Sequence, residues 1–159
     1  KGYWKQEKET AETIIDGWLH TGDIAKIDSE GYITIIDRKK EIIVNSGGDN
    51  IAPVRPEAAL TVQSIIQQAM VSGDRRPYLV AVIVPDPELS SKLNEDELEK
   101  NIAEAVNEAN KGLSQIERIR KYIVVSEPFS TDNGMFTATM KIRRHKVRES
   151  YGETLDALY

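Results

Sequence analysis

The chain has 159 residues, 40% of them hydrophobic and 30% charged, with a formal net charge of −5. That length suits one sizeable core or two small subdomains, and the composition is that of a globular chain rather than a disordered one. The acidic balance argues against a dedicated nucleic-acid binder, the absence of cysteine rules out disulfides and thiolate metal sites, and the longest apolar run, Tyr78 to Val84, falls far short of the roughly 20 residues of a membrane-spanning helix.

In chain order, Lys1-Gly2-Tyr3-Trp4 carries neither an initiator methionine nor a targeting pattern, so the chain is expected to be cut from within a larger protein. Residues Thr10 to Ile15 predict a short helix, and Gly17-Trp18-Leu19-His20-Thr21-Gly22-Asp23 a turn-rich loop able to present side chains to a ligand. Two β-branched runs, Ile24 to Asp28 and Tyr32 to Asp37, flank Ser29-Glu30-Gly31 and predict a hairpin. The charged stretch Asp37-Arg38-Lys39-Lys40-Glu41 then separates two apolar runs and is a candidate hinge, after which Ile42-Ile43-Val44 resumes as a strand.

Asn45-Ser46-Gly47-Gly48-Asp49-Asn50 is the strongest turn signal, because adjacent glycines allow positive φ. A helix is predicted from near Arg55, with Pro56 and Glu57 in its first turn. Ile65 to Ser72 and Tyr78 to Val84 predict paired strands, the second stopped by Pro85-Asp86-Pro87. From Asn94 to Asn110, Leu98, Ile102, Ala105, Val106 and Ala109 recur at helical steps behind an acidic opening, and Gly112 ends the helix. A strand at Tyr122 to Val125, a loop at Ser130 to Gly134 and a last helix at His145 to Tyr151 complete an irregular alternation of class α+β.

Three segments together resemble the adenylate-forming superfamily of acyl-CoA synthetases, aryl-CoA ligases, luciferases and peptide-synthetase adenylation domains. They are Gly17 to Asp23, Gly31 through Glu57 around Asp37-Arg38-Lys39-Lys40-Glu41, and Thr137-Ala138-Thr139-Met140-Lys141. The Asp-Arg-Lys-Lys-Glu, Ser-Gly-Gly and Lys-Ile-Arg-Arg variants look like the long-chain fatty-acid branch. The resemblance implies that residues 1–39 are the β-rich end of a large N-terminal domain. Residues 40–159 would form the mobile C-terminal lid, with a β-hairpin and a short mixed sheet packed by helices. The phosphate loop and acyl pocket of that family do not occur here, so the fragment alone is expected to be inactive.

The family joins a carboxylate to AMP with loss of pyrophosphate and then transfers the acyl group to a thiol, using two domain orientations. By that resemblance Asp23 accepts hydrogen bonds from the ribose hydroxyls of ATP, for which an acceptor-only group is suited. Its alternative is a turn aspartate that satisfies its own backbone. Arg38 matches the arginine that contacts the nucleotide through its fork of donors, against the alternative of an exposed strand-end residue. Lys40 matches the hinge, and Gly47 and Gly48 the loop that lines the CoA pantetheine channel, although a tight hairpin selects glycine equally well.

Lys141 matches the catalytic lysine that stabilises charge at the α-phosphate during adenylation; Ala138 stands where the family often has proline. Arg143, Arg144, Lys146 and Arg148 could bind CoA phosphates or anionic lipid, and a structural or solvated role is the preferred reading. His20 and His145 lack the partners of a zinc site or triad and are given no catalytic role. The implied partners are fatty acid, ATP and CoA together with the missing N-terminal domain; Mg2+ would be held by the phosphates and that domain, so no metal ligand is assigned. No nucleic acid is expected, cytoplasm is the default compartment, and peripheral membrane contact stays open. The rival reading is a stand-alone binding module that uses its basic C-terminal run for anionic lipid or nucleic acid. A regulatory or assembly piece with the family fold is a third.

Overall fold

The dipeptide Asp16-Gly17 decides how the chain begins. Both residues take positive φ, +51° and +82°, as a two-residue type I′ hairpin turn requires. Helix α1 (Glu7–Thr13) therefore stops before strand β1 (Ile14–Ile15), which pairs antiparallel with β2 (Trp18–Leu19). The expected helix over Thr10 to Ile15 is corrected here: it starts earlier, and its last two residues are drawn into the hairpin.

The computed structural model describes residues 2–159, so Lys1 of the expected N-terminal segment lies outside the described residues. The chain divides into two compact units, Lys1–Ile42 and Ile43–Tyr159. In the first, β3 (Asp23–Ile27) and β4 (Ile33–Arg38) form the expected antiparallel hairpin. Asp28 closes its turn by accepting from the backbone N–H of Glu30 and of Tyr32, both at 2.9 Å.

In the second unit, β5 (Ile43–Val44) and β6 (Asn50–Ile51) flank the glycine turn, and α2 (Val54–Thr61) follows from Pro53. Strands β7 (Ile66–Ser72) and β8 (Leu79–Pro85) pair antiparallel. A short α3 (Pro87–Ser90), capped by Asp86, leads to α4 (Glu95–Lys111). The chain then returns in β9 (Ile119–Val124), parallel to β8, before α5 (Arg144–Asp156). The start of α4 is set by a capping box in which Asn94 and Glu97 satisfy each other's backbone N–H.

Strand β8 is central in the order β7-β8-β9, and all seven of its residues are buried. Leu79, Ala81 and Ile83 pack with Leu60 of α2 and Ile102, Val106 and Ala109 of α4. Val80, Val82 and Val84 pack with Phe129, Phe136 and, from α5, Val147 and Leu155. A strand covered on both faces loses its polar alternation, hence the unbroken apolar run. Each fully buried Val, Leu or Ile side chain of this set contributes about 1.5–3 kcal/mol. Leu155, fully buried, also explains why α5 runs past the expected end at Tyr151. The α+β class and the short mixed sheet packed by helices are as the sequence predicts.

Candidate functional site

Antiparallel pairing brings the first two candidate residues together. Asp23 opens β3, Arg38 closes β4, and the register sets them opposite each other. Arg38 Nε lies 3.0 Å from Asp23 Oδ1, while Arg38 Nη1 donates to the Thr21 carbonyl at 2.9 Å. Thr21 Oγ1 accepts from the Asp23 N–H at 3.2 Å, and the Gly22 carbonyl accepts from the Lys39 N–H at 2.8 Å. Gly22 turns the chain there with φ +75°. The Asp23 carboxylate is thus engaged by a guanidinium rather than by its own turn.

Thr21, Gly22, Asp23 and Arg38 line a cavity of ≈ 660 Å³ together with Lys40, and Glu12 and His20 line it as well. Sequence reasoning gives those last two no role. The His20 signal was its place two residues before Gly22; Glu12 carried none, because it is one of several acidic residues in a short helix with no motif around it. Chemically the cavity offers a fixed acceptor, a fork of donors and an exposed ammonium, a set suited to a polyhydroxylated anion. Among the described residues no group of three or more His, Asp or Glu is placed to hold a metal ion.

Gly47, Gly48 and Lys141 belong to the second unit. Asn45 Oδ1 accepts from the N–H of Gly47 and of Asp49, both at 2.9 Å, and Gly48 has φ +85°. Only Gly48 is required by backbone conformation, since an added Cβ there meets nothing within 4 Å. The loop is docked on the β7–β8 turn, with the Ser46 N–H donating to the Arg76 carbonyl at 3.0 Å.

Lys141 ends a tight turn whose flanks, Phe136 and Ile142, form an antiparallel bridge. The Thr137 N–H donates to the Lys141 carbonyl at 2.9 Å, and the Lys141 N–H donates to Thr137 Oγ1 at 3.0 Å. Met140, φ +59°, supplies the left-handed step. The backbone of Lys141 is therefore fixed while the residue stays exposed. Much of the basic run beyond it is engaged: Arg144 pairs with Glu57, Lys146 with Glu149 at 2.6 Å, and Arg148 donates to Ser72 Oγ at 2.6 Å.

A family model described as the AMP-binding enzyme C-terminal domain matches residues 40–159. The chain belongs to the AMP-binding enzymes. Long-chain-fatty-acid–CoA ligase FadD15 of Mycobacterium tuberculosis is 37% identical over 174 residues, covering 99% of this chain and 29% of the ligase. Long-chain-fatty-acid–CoA ligase 6 of Rattus norvegicus is 34% identical over 177 residues, covering 100% of this chain and 25% of that protein. The chain thus spans under a third of the length of these curated relatives.

Among solved structures, the adenylation domain of a carboxylate reductase from Mycobacterium chelonae matches with a TM-score of 0.91 at 33% identity, covering 99% of this chain and 26% of that one. The corresponding domain from Segniliparus rugosus, solved in complex with AMP and a co-purified carboxylic acid, matches with a TM-score of 0.86 at 32% identity, covering 99% of this chain and 26% of that one.

Proposed function

We propose that this chain is the C-terminal portion of an ATP-dependent acyl-CoA ligase that activates a long-chain fatty acid as acyl-AMP and transfers it to CoA. Residues 1–39 would close the large N-terminal domain, and residues 40–159 would be the lid that swings about Lys40. The observation that carries the reading is the Asp23–Arg38 pair at its 3.0 Å separation beside a cavity, in an AMP-binding enzyme with ligases as relatives.

In this reading the fatty-acid carboxylate attacks the α-phosphate of ATP and pyrophosphate leaves. Asp23 accepts from the ribose hydroxyls, Arg38 holds that carboxylate and reaches the nucleotide, and the Lys141 ammonium offsets charge developing at the α-phosphate. The lid then turns at Lys40 and the Gly47–Gly48 loop lines the path of the CoA arm. Mg2+ would neutralise the phosphates and be held by them and by the rest of the parent. The fragment by itself is inactive in this reading. The parent works in the cytoplasm; the pairing of Arg144, Lys146 and Arg148 gives the lipid- or nucleic-acid-binding alternative no support.

The likeness to carboxylate reductase adenylation domains favours a second reading, in which the same adenylation serves an acyl acceptor other than CoA. Product analysis with CoA present separates the two.

The deciding experiment is fatty-acid-dependent ATP–pyrophosphate exchange by the full-length parent and its Lys141→Ala variant. Loss of about 100-fold or more in a folded variant is expected for a group that stabilises transition-state charge. Normal exchange by the variant would remove Lys141 from the chemistry, and a parent without exchange on any acid would remove the ligase reading.

A further inference from the structure

Helix α5 begins three residues after Lys141, yet nothing local fixes where it starts. Arg143 at the N-cap makes no side-chain capping bond, and the first turn holds no acidic residue. Instead it holds Arg144, His145 and Lys146, cationic or titratable side chains at the end of a helix that favours anions. The start is pinned from outside. Arg144 forks onto Glu57 in the first turn of α2, with Nη1 2.6 Å from Oε1 and Nη2 2.7 Å from Oε2. Glu57 Oε1 also accepts from the Val71 N–H at 2.9 Å, and Arg144 Nη1 approaches the Val71 carbonyl at 3.4 Å. One carboxylate thereby ties α5, α2 and β7 at a single point that is largely buried.

On the other side of the turn, the Arg143 N–H donates to the carbonyl of buried Met135 at 2.7 Å, and Phe136 bridges Ile142. The turn that carries Lys141 is therefore clamped at both ends: by Met135 and Phe136 from behind, and by the Arg144–Glu57 fork in front. We propose that Arg144 is a positioning residue for adenylation, holding Lys141 in place through Glu57 without touching substrate. The proposal rests on the reading of Lys141 as the adenylation lysine. It has a consequence that a merely structural ion pair lacks: the step that uses Lys141 should suffer, and the thioester step that does not should be spared.

The test uses the full-length parent with Arg144→Lys, with the double variant Glu57→Gln/Arg144→Gln, and with Lys141→Ala. Lysine keeps the charge and loses the fork. The double glutamine removes both charges while leaving Val71 an acceptor, so no buried ion is stranded. Each is assayed for ATP–pyrophosphate exchange and, separately, for acyl transfer to CoA from preformed acyl-AMP, with the thermal midpoint as a check on folding. Exchange should fall about 10- to 100-fold in both Arg144 variants, the scale of a displaced catalytic group, while acyl transfer keeps the parent's rate. Equal loss in both steps, or undiminished exchange, overturns the proposal. If Lys141→Ala abolishes exchange while the Arg144 variants do not, the proposal alone fails. If Lys141→Ala itself exchanges normally, the reading beneath it fails too.

Discussion

Arg38 illustrates how one side chain can matter to binding and hardly at all to stability. Its guanidinium is more than half exposed, so the 3.0 Å pair with Asp23 stabilises the fold by no more than about 1 kcal/mol. Its geometry is another matter: Nε meets the carboxylate while Nη1 meets the Thr21 carbonyl, and a lysine cannot do both. For Arg38→Lys in the full-length parent we expect the KM for ATP to rise by roughly 10-fold and the thermal midpoint to stay put, about 1.4 kcal/mol of binding against almost none of stability. Steady-state kinetics at saturating fatty acid reads the first, a melting curve the second. An unchanged KM would leave Arg38 an ordinary strand-end arginine. Asp23, Arg38 and Lys141 were singled out as candidates because each sits inside a recognisable motif. Arg144 was not: in the sequence it is one cation in a basic run, and its partner Glu57 lies 87 positions away.

At the level of elements, regular periodicity was the readable part. The α4 repeat and its acidic opening predicted that helix to within a residue at each end, whereas the Asp-Gly turn after Ile15 was passed over because Thr10 to Ile15 already looked helical. The parallel pairing of β8 with β9 was invisible, since an apolar run announces burial but not its neighbour. The same sheet is fastened to the end of α5 by Tyr159. Its hydroxyl donates to the Ser72 carbonyl at 3.2 Å, its ring lies 5.1 Å from that of Tyr78, and Arg76 sits 4.8 Å over its face. Burial pushes the phenol up to about 12, with Arg76 and Arg148 pulling the other way. A phenol that holds its proton more tightly when folded stabilises fully below its ordinary value of 10.0; that contribution fades as pH rises from there through about 12. Tyr159→Phe should therefore cost about 0.5–1.5 kcal/mol at neutral pH, the loss of one hydrogen bond, and should flatten the fall in stability above pH 10. Urea denaturation at pH 7 and across the alkaline range checks both; an unaltered alkaline slope would show that Tyr122 and Tyr151, also raised by burial, carry it instead.

Considered whole, the two units are unequal. The second has two hydrophobic clusters on either face of its sheet, and β8 runs between them fully buried. In the first, Asp37 is the one buried residue among those described, and its Oδ2 has no hydrogen-bond partner. Trp18, Ile33 and Ile35 are 77%, 66% and 60% exposed. A two-stranded hairpin with its apolar side chains in water is marginal alone, which fits a chain that spans under a third of its curated relatives. The difference sets a clock on each backbone amide. In heavy water, the N–H groups of β3 and β4 should trade hydrogen for deuterium by local fraying within seconds, while those of β8 wait for the second unit to open globally. Peptide-resolved mass spectrometry of the isolated chain would record two widely separated rates, and slow exchange in β3 and β4 would reveal that this hairpin holds itself together without the rest of the parent.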